Sequence, residues 1–240
     1  MIFYLLIVFF FCSQSIQASD NIDVGFYHID VEISLDNPYI KGKVICDFTV
    51  LKEGSKKVQL ELHKAYKVAK VEGAESFEQS GNKLNFDLEN GLNIGDKQRL
   101  IIYYEGIPPT ITTKDGLQTG LVYSHHSAEK HPVIASVCHP KGAYLWFPCK
   151  ESLQDKSDSV YIDIRIDDRK VEQLFVDPKT KEQSRKSMSV IAVSNGMLEG
   201  IKKIDAQKQY LWRHRYPIAP QHVLIAISNF VKAESSFKGK

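Results

Sequence analysis

Ile29, Val31, Ile33 and Leu35 alternate with polar or charged residues, and the pattern stops at Asp36-Asn37-Pro38. A period of two places every second side chain on one face of an extended backbone, so such a segment buries its apolar face only as a strand of a sheet. The same period returns at Val44-x-Cys46-x-Phe48-x-Val50, at Val58, Leu60 and Leu62, at Leu84, Phe86 and Leu88, at Leu100, Ile102 and Tyr104, and at Val160, Ile162, Ile164 and Ile166. Residues 133–137 form a short apolar run, and 189–194 and 209–214 read as two further strands. Glu53-Gly54-Ser55, Asn90-Gly91 and Gly95-Asp96 supply turn chemistry between them. No helical periodicity longer than about three turns occurs. The expected fold is all-β, built of antiparallel curved sheets or a β-sandwich. Residues 106–132, with Pro108-Pro109, Gly116, Gly120 and several histidines, read as a long irregular loop.

Composition narrows the function classes. The 240 residues are 43% hydrophobic, enough to fill a core. The 31 basic and 29 acidic residues are interleaved and form no phosphate-binding stripe, which argues against nucleic acid as a partner. At the amino terminus, MIFYLLIVFFF is followed by the small and polar CSQSIQASD. The apolar run is shorter than the about 20 residues of a spanning helix and has the length of a signal-peptide core. Residues 1–18 are read as a signal peptide with Ser15 or Ala18 at the cleavage point, residues 19–240 as the β domain, and the protein as exported without a stable membrane span.

Beyond the leader stand Cys46, Cys138 and Cys149. Cys46 keeps phase with Val44 and Phe48 and reads as a small buried hydrophobe. The sequence leaves open whether Cys138 and Cys149 pair, because it does not fix their geometry. Cys149 lies beside Trp146, Phe147 and Pro148, a setting for burial rather than for an activated thiolate. HHSAEKH brings His125, His126 and His131 into one segment, but a metal site needs three or four converging ligands, so these histidines read as a solvated polar loop. No H-E-x-x-H, no G-x-S-x-G and no glycine-rich phosphate loop occurs. An enzyme complete within these residues is not expected.

One stretch stands out: CHPKGAYLWFPCKES, residues 138–152, holds two cysteines, two prolines, a glycine, a histidine and a tryptophan. With its surroundings it resembles the amino-terminal domain of M1-family zinc aminopeptidases, the relatives of aminopeptidase N and leukotriene A4 hydrolase. The resemblance rests on Gly142-Ala143, Trp146-Phe147 and Pro148-Cys149 followed by the strand 158–166. Further matches in order are the opening strand 27–35, Ile40-Lys41-Gly42, Tyr104-Glu105-Gly106, Val193-Ser194-Asn195-Gly196 with Leu198, and Trp212 with Tyr216-Pro217-Ile218-Ala219 and Ala226-Ile227-Ser228-Asn229-Phe230.

The resemblance implies a non-catalytic β domain flanking a cleft, with peptide hydrolysis carried by a partner catalytic domain. That domain would hold zinc, use the glutamate of H-E-x-x-H as base and grip the substrate's amino terminus with a Gly-x-Met-Glu-Asn loop. None of these motifs is present, so this chain alone is expected to be inactive and to hold no zinc itself; Gly196-Met197-Leu198-Glu199-Gly200 imitates the loop by composition only. Where the family has a Glu or Gln that accepts a hydrogen bond from the peptide's ammonium, this chain has His139, the candidate substrate-binding residue. Tyr144 stands where an arginine usually follows Gly-Ala. A stand-alone binding module descended from such an enzyme is the alternative reading of those two departures.

Overall fold

A computed structural model of the chain describes residues 21–126, 131–177, 179–231 and 235–236. The apolar leader 1–18 lies outside the described residues. In chain order the strands are β1 (Ile22–Ile33), β2 (Ile40–Val50), β3 (Ser55–Glu61), β4 (Tyr66–Glu72), β5 (Ser76–Ser80), β6 (Lys83–Leu92), β7 (Lys97–Gly106), β8 (Thr110–Thr112) and β9 (Gln118–His126). They continue with β10 (His131–Val137), β11 (Ser159–Asp167), β12 (Lys170–Val176), β13 (Gln183–Ser189), β14 (Ile191–Ser194), β15 (Met197–Ile204), β16 (Gln207–His214) and β17 (Ile225–Ser228). Among the described residues there is no α-helix, and so no helix long and apolar enough to cross a membrane.

The alternating segments build a seven-stranded sheet in the order β15-β16-β11-β1-β2-β7-β4. Its neighbours run antiparallel except the central pair, β1 and β11, which run parallel with Ile29 opposite Ile162. The inward rows are the apolar residues of the sequence pattern: Ile29, Val31 and Ile33 on β1, Val44, Cys46 and Phe48 on β2, Leu100 and Ile102 on β7, Ile162 and Ile164 on β11, all buried. Burying such a side chain is worth about 1.5–3 kcal/mol. The opposite face is charged: Asp30 lies 3.6 Å from Lys43 and 3.7 Å from Arg165, partly exposed pairs worth about 0–1 kcal/mol each. Burial therefore holds the sheet together, and charge keeps its outer face in water.

A phase break in β1 has a local cause. Ile22 and Val24 point inward, and so do Tyr27 and Ile29, an odd step that strict alternation forbids. The register with β2 shifts between Val24 and Phe26, so a bulge at Gly25 restores the buried row.

Three smaller sheets complete the molecule: β3-β6-β5, the ribbon β12-β13, and a five-stranded sheet ordered β14-β17-β10-β9-β8. Val58, Leu60, Leu84 and Phe86 from the first, and Leu121, Ile134, Ile225 and Ile227 from the last, join the large sheet's inward rows in one continuous core.

Several sequence expectations need correction. The segment 106–132 is not an irregular loop: it contains β8, β9 and the start of β10. All three residues of β8 are exposed, and β9 carries Gly120 and three polar residues at its end, so neither presents the alternation that marks a half-buried strand. Asn90-Gly91 does not end a strand but lies within β6, where the register with β3 slips between Ser55 and Lys57. Residues 189–194 are the end of β13 and the whole of β14, with Val190 between them. Strands β4, β5, β12 and β15, with at most one buried residue each, lie outside the sequence expectations. The largest sheet is mixed rather than wholly antiparallel because β11 returns beside β1 in the same direction.

Candidate functional site

Residues 138–152 form a corner wedged between the sheets. After β10 the chain passes His139-Pro140, a cis peptide, to Gly142, then a short 3-10 turn at Ala143–Leu145, then the buried run Trp146, Phe147, Pro148 and Cys149. Gly142 adopts φ 156° and ψ 4°, and a Cβ there would sit 3.2 Å from the Cys138 Cα. Only glycine fits that backbone without strain.

A buried turn must find partners for its backbone polar groups. Three tyrosines from the large sheet supply them. The Tyr66 hydroxyl of β4 donates to the Leu145 carbonyl at 2.8 Å, the Tyr104 hydroxyl of β7 donates to the Trp146 carbonyl at 2.8 Å, and the Lys150 N–H donates to the Tyr27 hydroxyl of β1 at 2.9 Å. Cys149 exchanges both backbone hydrogen bonds with Glu61, at 2.7 and 3.0 Å, and the His63 N–H donates to the Tyr144 carbonyl. Glu151 closes the turn from within, its carboxylate accepting the N–H groups of Gly142 and Tyr144 at 2.9 Å each. Lys150 donates to the Ile22 carbonyl at 2.6 Å and pairs with the buried Asp155.

Burial pushes the phenols of Tyr27, Tyr66 and Tyr104 well above the usual range, which keeps each hydroxyl protonated. The Cys149 thiol is driven up by burial and by the Glu151 and Glu61 charges beside it, and the Cys138 thiol is pushed up to about 12 by burial. Neither has the electropositive, accessible setting of a nucleophile. Cys46, Cys138 and Cys149 are all buried free thiols, so the pairing left open by the sequence is not present.

His139 is exposed, as are Pro140 and Lys141 after it. Its ring lies parallel to that of His222, with centroids 6.2 Å apart and planes 2° from coincidence. β10 and β17 pair antiparallel with Ala135 opposite Ala226, and His139, four residues after Ala135, and His222, four before Ala226, meet just beyond the paired strands. The two rings thus stand together at one end of the five-stranded sheet.

No family model and no curated protein matches the sequence. Solved structures do. A two-domain M1 zinc metallopeptidase mutant bound to L-arginine aligns with a TM-score of 0.69 and 15% identity, over 87% of this chain and 42% of that one. The M1 zinc metallopeptidase of Deinococcus radiodurans aligns at 0.68 and 16% identity, over 87% and 42%, and an L-tryptophan-bound mutant at 0.68 and 16%, over 87% and 43%. The chain shares its fold with M1 zinc metallopeptidases. It spans less than half the length of those it matches.

The described residues of this M1-like fold offer no site that fits zinc. Among the described residues no three His, Cys, Asp or Glu side chains converge on a point that would hold a metal ion. Of the HHSAEKH histidines, His125 and His126 are exposed on β9, whereas His131 is buried, one ring nitrogen 3.0 Å from the Glu172 carbonyl and the other 3.3 Å from the Asn229 amide nitrogen. His131 is therefore a structural histidine that ties β10 to β12.

Three features of this fold leave no mark in the sequence. Glu151 was one polar residue among many after Pro-Cys, His222 lies far from His139 in sequence, and only the β10–β17 register connects them. The third lies on the outer face of the large sheet, where Asp163 of β11 accepts from Arg213 of β16 at 2.6 Å and lies 3.0 Å from His28 Nε2 of β1. Burial alone would raise the Asp163 carboxyl, but the hydrogen bonds from His28 and Arg213 outweigh it and hold the group below its ordinary range. Alternation marks these three positions as outward-facing without saying that they meet.

Proposed function

We propose that residues 19–240 are the amino-terminal β domain of an exported M1-type zinc aminopeptidase, in which a separate catalytic domain removes the first residue of peptides. The observation that carries this reading is the alignment over 87% of this chain with two-domain M1 metallopeptidases, some of them bound to free amino acids or to a Tyr-Ser-Ala substrate. It is supported by the sequence resemblance, which runs through the same corner that the three tyrosines and Glu151 hold in place. In this reading zinc belongs wholly to the catalytic domain, and the apolar leader directs export.

Within the β domain we assign the peptide's amino terminus to His139, which the resemblance sets at the position of the ammonium-binding residue and which is exposed. A neutral imidazole offers one acceptor nitrogen to an ammonium, while a protonated one repels it. His139 and Tyr144, which replace the residues usual in the family, favour a second reading: a binding module that works without a catalytic domain.

Hydrolysis of aminoacyl reporter substrates tests the proposal. The purified 240-residue chain should release no amino acid, whereas the species isolated from its native source should do so in a chelator-sensitive way. Chelator-sensitive release by the chain alone, or none by the native species, would overturn it.

A further inference from the structure

The outer face of the large sheet changes character along its strands. At one end Asp30, Glu32, Lys43 and Arg165 cover it with charge. Toward the other, the pairing registers lay down a row of Tyr161, His28, Ile45 and Ile101 and then a row of Ser159, Phe26 and Asp47. A sheet face that is merely solvated carries polar residues, so a pair of aromatic rings set into it calls for a ligand.

The bulge in β1 shapes the place. Gly25 and Phe26 together oppose the single residue Asp47, which sets Phe26 on the outer face beside an extra residue that has no side chain. An open groove of about 450 Å³ lies against Gly25, with Phe26 and Tyr161 as its apolar wall and Thr49, Lys97, Asp158 and Ser159 around it. A Cβ at Gly25 would stand 3.5 Å from the Asp158 carboxylate, and a larger side chain there would take up part of that space. The two rings meet edge to face, centroids 5.0 Å apart and planes at 89°, and so form a corner. The Arg213 guanidinium lies 4.6 Å from the Tyr161 ring centroid and the His28 ring 6.2 Å from it, which fixes that ring in advance of any ligand.

The polar groups select a ligand class. Asp47 is held by two guanidinium nitrogens of Arg99 at 2.6 and 2.7 Å, so its charge is neutralised. One carboxylate, Asp158, one ammonium, Lys97, and two hydroxyls, Thr49 and Ser159, remain, and none of these four side chains makes a hydrogen bond or ion pair among the described residues. The two opposite charges balance, which favours neither an anion nor a cation. Donors and acceptors are both on offer beside aromatic surface. A sugar ring uses all of them: its C–H face packs on the rings, while its hydroxyls donate to Asp158, accept from Lys97 and do either with Thr49 and Ser159.

We infer that this groove binds a neutral sugar unit, a pyranose of a glycan chain that lies against Phe26 and Tyr161. The inference is independent of the reading proposed above, since it concerns the outer face of the large sheet and needs no catalytic domain.

Saturation-transfer NMR of the 240-residue chain with cellotetraose, chitotetraose and mannotetraose tests it, each sugar offered free and linked through asparagine to a short peptide. At least one should receive saturation, strongest at its ring C–H protons. Phe26→Ala and Lys97→Ala should each weaken that binding about tenfold with the denaturant midpoint near wild type. Lys97 is exposed, so its variant keeps the test decisive if Phe26→Ala fails to fold. Equal binding of free and linked forms assigns the site to the glycan itself, and binding of the linked form alone assigns it to a glycosylated polypeptide. No transfer to any of the three sugars overturns the inference, as does binding that Lys97→Ala and a folded Phe26→Ala leave unchanged. Tighter binding of an arginine-containing tripeptide or of inorganic phosphate than of every sugar also overturns it, because charge would then select the ligand.

Discussion

The carboxylate of Glu151 holds the backbone N–H of Tyr144 at 2.9 Å, and its other oxygen holds that of Gly142 at the same distance. One side chain thereby satisfies both ends of a turn that is otherwise packed against Trp146 and Phe147. Replacing it with alanine leaves two N–H groups without an acceptor in a poorly solvated place, and charged acceptors are the strong ones. Glu151→Ala should cost about 2–4 kcal/mol, with Glu151→Gln losing less, read from denaturant midpoints with an unchanged slope. Wild-type midpoints in both variants would contradict the assignment.

Tyr66 and Tyr104 pack edge to face, ring centroids 5.4 Å apart, and donate to adjacent carbonyls of the same turn. Each Tyr→Phe change keeps the ring and strands one buried carbonyl, a loss of about 1–2 kcal/mol. Because they serve one turn, the double variant should depart from additivity. Strict additivity in urea unfolding would mean that the two hydroxyls act independently.

At Gly142 the backbone itself is the constraint. Gly142→Ala combines φ 156° with a Cβ 3.2 Å from Cys138, and should cost about 1–3 kcal/mol. Gly54→Ala, at φ 68° with open space around its Cβ, isolates the conformational part and should cost less. The comparison is read from paired melting temperatures, and an equal loss at both sites would remove the steric argument.

Asp163 gives the fold a pH dependence of known sign. Its folded value lies below its unfolded one, because the His28 and Arg213 hydrogen bonds outweigh burial. The carboxylate's contribution is therefore complete above the unfolded value, near 4, and is lost as pH falls through the folded value. Asp163→Asn should lower stability at neutral pH and flatten the acid limb below about pH 4. Acid-unfolding curves of the two proteins with the same slope would refute this.

The thiols of Cys46, Cys138 and Cys149 are buried and held protonated. Alkylation at mildly alkaline pH should leave all three unmodified in the folded protein and label them once it is unfolded. Peptide mapping that recovers Cys138 cross-linked to Cys149 would contradict the free-thiol structure.

Much of this fold is legible from alternation. Ile29, Val44, Ile102 and Ile162 announce four neighbouring strands because each needs a buried face and solvent on the other. Strands with no buried face, such as β8 or β5, leave no such signature, since pairing of their backbones rather than burial of their side chains defines them. The parallel return of β11 beside β1 is equally silent, being a matter of chain path. At the candidate site, local composition marks the corner at 138–152, and the resemblance singles out His139. Glu151 and the three tyrosine hydroxyls act on backbone groups, which have no sequence identity to read. The pairing of His139 with His222 exists only through the β10–β17 register.

The central claim is that this chain is one domain of a larger peptidase. It is tested most directly by the intact mass of the native product, detected in its own source with an antibody to this domain. The expected species lies well above 27.3 kDa and has an aminopeptidase activity that a chelator abolishes. A species at or slightly below that mass, soluble and without such activity, would contradict it and make the domain a binding module in its own right.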